Sequence, residues 1–252
     1  MPGLTYSTYK TQIAEMAVVA EDDVNFLAIL PAMIDYASNR ICRDLDLMFT
    51  SVSLHNNNLK LTTGNRNIYF AQNFDYTDPY TASTTQVSFV VSEQINLILG
   101  GTSDPDAGSR VPLLPTTKEF LDVVYGSASY RGQPKYFAPF NETLFFVGPT
   151  PDTDYYVEVV GTVRPAPLSE TVTTTFISQY LPDLLIMASM VYISAYQRNF
   201  GRQSDDPQMA QSYETQYQTL LRSAGVEEAR KKFEGPAWSS QSPSPISSPT
   251  RG

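Results

Sequence analysis

Few side chains in this chain have the chemistry of a catalytic or metal centre. His55 is the only histidine and Cys42 the only cysteine. A serine triad or a cysteine–histidine dyad would have to rest on that one imidazole. His55 opens the turn Asn56-Asn57-Asn58 and reads as a polar surface residue. Cys42 falls beside an apolar helical stripe and reads as a small near-core residue, with no partner for an intrachain disulfide or a thiolate metal site. Asp104-Pro105-Asp106-Ala107-Gly108 has the opening pattern of a calcium loop but lacks the remaining ligands and the late glutamate. Asp44, Asp46 and Glu158 could be drafted as the paired carboxylates of a hydrolase. Such a pair needs two acids at a set separation across the scissile bond, which sequence spacing does not provide. These acids read instead as solvated or paired. No metal, no cofactor and no catalytic residue is expected, and the chain is expected not to be an enzyme.

The bulk composition narrows the role further. The 252 residues suffice for one large or two small domains with a real core. With 17 basic and 26 acidic side chains the net charge is −9, so the chain as a whole is not built to wrap nucleic acid, which demands clustered Lys and Arg. Met1-Pro2-Gly3-Leu4 lacks the basic and apolar regions of a secretory signal, and the most apolar run, Leu184 to Ala195, is short and interrupted by serine. Synthesis and folding in a cytoplasm, with no membrane contact, are expected.

The elements that must position everything else are helical at both ends. Thr5 or Ser7 caps a first helix to about Ala20. A short turn, Val24 to Leu30, precedes a second helix opened by Pro31, with Ile34, Ala37, Ile41 and Leu45 on one stripe. Strand-like pieces follow at Thr50 to Leu54, Leu59 to Leu61, Ile68 to Phe70, Gln86 to Ser92 and Ile95 to Leu99, with an exposed excursion at Asp75 to Thr85. Thr116-Thr117-Lys118-Glu119 caps a short helix, Lys118 to Tyr125. Lys135 to Phe140, Thr143 to Val147 and Tyr155 to Val163 read as a three-stranded antiparallel meander, Glu158 and Thr162 facing away from the valines. Ser178 caps a third long helix, with Pro182 in its first turn and apolar residues nearly all round; Phe200-Gly201 ends it. Pro207 opens a fourth, interrupted at Gly225 and followed by a charged stretch with a Glu227–Lys231 pair. The fold class is α+β: a helical bundle from both chain ends (1–49 and 176–234), an inserted antiparallel β-domain (50–175) and an extended arm (235–252). The arm's 18 residues include four Pro and six Ser, too little apolar surface for a core, so a partner is expected to order it.

Three stretches in this order carry a resemblance. They are Phe26 to Asp46 around Pro31-Ala32-Met33-Ile34-Asp35-Tyr36, the segment Gly132-Gln133-Pro134-Lys135-Tyr136-Phe137 through Arg164-Pro165, and Leu181-Pro182-Asp183-Leu184-Leu185. Together they resemble the head-to-tail adaptor (connector, head completion) proteins of tailed bacteriophages, over roughly residues 5 to 235. The resemblance implies a structural virion protein at the head–tail junction, a dodecameric ring beneath the portal protein that joins capsid to tail. It implies a β-domain facing the tail nozzle or tail-tube protein, a C-terminal arm clasping the portal, and a channel for double-stranded DNA during packaging and ejection. Phe233, Pro236, Trp238 and Ile246 are the candidate portal contacts. The competing reading, prompted by 12% aromatic residues, is a tail or receptor- and carbohydrate-binding virion module.

Overall fold

A computed structural model describes residues 3–69, 74–79, 82, 84–141, 144–199 and 207–234. The strand end expected at Phe70, the connection through Glu142 and the helix stop at Phe200-Gly201 lie outside these residues. The chain divides into two units, Met1–Met48 with Ile177–Gly252 and Phe49–Phe176, and the whole is mixed α and β.

In the first unit, α1 (Tyr6–Met16) starts at Thr5, whose hydroxyl accepts the Thr8 N–H while the Thr8 hydroxyl accepts the Thr5 N–H at 2.9 Å. The helix stops at Met16, short of the expected Ala20. Its exit is a Schellman turn: Val18 N–H reaches Glu15 C=O at 3.1 Å and Val19 N–H reaches Ala14 C=O at 3.0 Å. That turn needs a left-handed residue, and Val18 supplies it with φ 54°, where glycine is the usual occupant.

Helix α2 (Val24–Asp44) corrects the expected break at Pro31, which lies inside it. Asp23 caps the helix, accepting from the Asn25 and Phe26 N–H groups at 2.8 and 3.0 Å. Phe26, Ile29 and Leu30 are buried before the proline and Met33, Ile34, Ala37 and Ile41 after it. Continuous burial on both sides outweighs the roughly 3 kcal/mol that an interior proline costs. The third helix is also divided differently: α4 (Phe176–Tyr180) is a separate turn containing Ser178, and Pro182 itself opens α5 (Pro182–Asn199). Helix α6 (Pro207–Ala229) runs through Gly225, another correction, and ends in a π-helical turn, Arg230–Glu234. Ala224 and Glu228 are buried on either side of that glycine, enough to offset its cost of about 1 kcal/mol. Helix α5 packs against α1, α2 and α6. Tyr9 of α1 is fully buried and its hydroxyl meets Ser189 of α5 at 2.6 Å. Since Ser189 gives its own proton to the Leu185 C=O at 2.7 Å, Tyr9 is the donor in that pair.

The second unit holds two four-stranded sheets. One has the order β1 (Ser51–Leu61), β10 (Tyr155–Val163), β5 (Phe89–Leu99), β6 (Ser109–Pro112), antiparallel throughout. The other has the order β2 (Asn67–Tyr69), β9 (Leu144–Gly148), β8 (Tyr136–Pro139), β7 (Leu114–Pro115), with β7 parallel to β8. Leu59, Leu61, Ile95, Leu97, Val157 and Val159 of the first sheet share a core with Ile68, Phe137, Phe145 and Val147 of the second. The expected meander is therefore corrected: β8 and β9 pair, but β10 crosses to the other sheet, where it is flanked on both sides. The turn expected at Asn56 to Asn58 lies inside the continuous β1, as a shift in its pairing with β10 between His55 and Lys60. The expected excursion contains a hairpin, β3 (Phe74–Thr77) with β4 (Thr84–Val87), whose Phe74, Tyr76 and Val87 pack with Val163. A short helix, α3 (Lys118–Val124), is capped by Thr117 and lies over β8 and β9. Gly148 makes that approach possible, because a Cβ there would sit 2.7 Å from Leu121 and 2.8 Å from Tyr125.

Replacing Val18 by glycine removes the left-handed strain at the α1 exit, worth about 1–2 kcal/mol, and adds some freedom to the unfolded chain. The Val18→Gly protein is expected to be more stable by about 1 kcal/mol in urea melts; a loss of stability would show that the Val18 side chain contributes to its own unit.

Candidate assembly surfaces and the polar networks behind them

The residues with chemical potential are dispersed. His55 is exposed on β1, and Cys42 is half-buried on α2. Asp104 accepts the Asp106 N–H at 2.9 Å, and Asp106 holds Arg110 at 3.0 Å, so the Asp-x-Asp-x-Gly segment is a turn with an ion pair. Among the described residues no group of three or more His, Cys, Asp or Glu is arranged to hold a metal ion. Asp44 is engaged by Tyr217, and Asp46 pairs with Lys232. Asp44 and Asp46 belong to the first unit and Glu158 to the second.

Glu158 is where the structure departs most from the sequence pattern. The alternation assigns it to a solvated face, yet it is only 4% exposed. Each strand of its sheet contributes to one polar row. Ser53 of β1 donates to Glu158 at 2.8 Å, Asn96 of β5 at 2.9 Å and the Arg110 Nε of β6 at 2.9 Å. Burial by itself would raise the carboxyl, but the hydrogen bonds from Arg110, Asn96 and Ser53 together outweigh it and hold the group below its ordinary value. The row ties four strands in register, since a slip by one residue would turn Glu158 toward the valine core.

A second network braces α2 against α6. The Arg40 guanidinium lies 2.5 Å from Glu214 and 3.6 Å from Asp44, and sits 4.1 Å over the Tyr217 ring. Tyr217, fully buried, donates to Asp44 at 2.7 Å. The hydrogen bond to Glu214 raises Arg40 above its ordinary value, and the same contact lowers Glu214. Burial, then the bond to Asp44, pushes the Tyr217 phenol up. At the end of α6, buried Glu228 accepts the Met48 N–H at 3.2 Å and binds Lys231 at 2.7 Å, while the expected Glu227–Lys231 pair forms at 3.0 Å.

Both networks are braces, and the surfaces they leave exposed are apolar. In the first unit Val18 and Val24, at the α1–α2 turn, are 84% and 80% exposed. In the second, the two turns of α3 lie over β8 and β9 of the β2-β9-β8-β7 sheet. Around α3, Tyr69, Leu114, Phe120, Val123, Val124 and Phe140 remain in water. Phe120 stacks edge-on to Tyr136, and Phe140 to Phe146. The sequence signal for these surfaces was weak, because single apolar residues between polar ones fit a loop as well as a contact.

A sequence profile for the SU10 adaptor protein matches residues 4–242, spanning both units. The chain belongs to the SU10 adaptor family. It is a structural adaptor of a bacteriophage, as the three resembling stretches implied. A search of curated proteins finds no match. No helix among the adaptor's described residues is long and apolar enough to cross a membrane. Of the candidate portal contacts, Phe233 falls in the π-helical turn at the end of α6, and its side chain, with all of Pro236, Trp238 and Ile246, lies outside the described residues.

The lowered Glu158 sets a pH dependence for the adaptor. A carboxyl whose folded-state value is depressed adds stability in full above its ordinary value of 4.5, and that contribution is lost as the pH falls through the folded-state value. Glu158→Gln is expected to cost about 2 kcal/mol at neutral pH, through the lost charge-assisted hydrogen bonds. The gap between variant and wild type should narrow in urea melts at pH 3, and an unchanged gap would mean that the charge of Glu158 contributes nothing.

Proposed function

We propose that this adaptor forms a dodecameric ring beneath the portal protein, joins the filled capsid to the tail, and continues the channel through which DNA is packaged and ejected. The observation that carries the reading is the family match over 4–242, which takes in the helical unit and the β unit alike. The role is mechanical and not enzymatic, and it needs neither cofactor nor metal. Helices braced at Arg40 and at Glu228 supply rigidity. The β unit offers the surface for the tail nozzle or tail-tube protein. The arm from Phe233 onward, with Pro236, Trp238 and Ile246 as anchors, attaches to the portal. A net charge of −9 suits a channel wall, since phosphates meet few counter-charges and DNA passes without being gripped. The protein is made in the host cytoplasm and ends in the virion, at the head–tail junction.

Light scattering of the purified chain, alone and mixed with its cognate portal, tests this. A single chain in isolation that joins a large multi-copy complex with portal is the expected result. Deleting 235–252 should leave a folded chain, with unchanged melting, that no longer enters the complex. A full-length chain indifferent to portal would instead favour a tail or glycan-binding module.

A further inference from the structure

We draw no further inference here: the strongest candidate, the exposed apolar surface of α3 with Phe120, Val123 and Val124 in water, carries nothing because the cations beside it, Lys118 and Arg66, are already paired with Asp122 and nothing in the structure shows what covers it.

Discussion

Helix α5 carries Leu184, Leu185, Ile186, Ala188, Ser189, Met190 and Ile193 out of water along its length. A helix buried on several sides cannot lie on a surface, so other elements must surround it. Those elements come from distant parts of the chain: α1 and α2 from the beginning, α6 from the end. The chain must therefore leave this unit and return to it, and all of Phe49–Phe176 is what it does in between. Burial of one helix thus dictates the discontinuous organisation. Tyr9, reaching Ser189 with a hydroxyl it must share, shows how polar atoms are admitted to that core only in satisfied pairs.

The second unit solves a related problem with strands. A central strand with a glutamate on it would ordinarily leave that residue in water, but β10 has neighbours on both sides and Glu158 is enclosed. Desolvating a lone carboxylate is costly, and three donors from the other three strands of the sheet offset it. The arrangement makes the polar row a register mark as much as a source of stability, since no other pairing of the four strands brings the same donors together.

Inward bracing and exposed apolar surface are supplied by different residues of the adaptor. The ion pairs of Arg40, Glu158 and Glu228 are turned inward to brace their own units. Exposed valines and aromatics are left at the α1–α2 turn and around α3.

Much of this was legible locally. The caps at Thr5 and Thr117, the helix start at Pro207, and the Glu227–Lys231 pair involve residues within four positions of each other, so short-range chemistry determines them. The α+β class followed from the switch of apolar period along the chain. The resemblance in three ordered stretches pointed to a phage adaptor before any coordinate did. What the tertiary structure decided were the places where distant burial outweighs local preference. Pro31 stays inside α2 because buried residues continue on both sides of it, and Gly225 stays inside α6 for the same reason. β10 leaves its neighbours in sequence for another sheet because strand pairing is a long-range hydrogen-bond choice that alternation cannot express. Glu158 is enclosed among Ser53, Asn96 and Arg110, the last some fifty residues away and reaching it from β6; period-two patterning gives a side chain's direction but not what lies there.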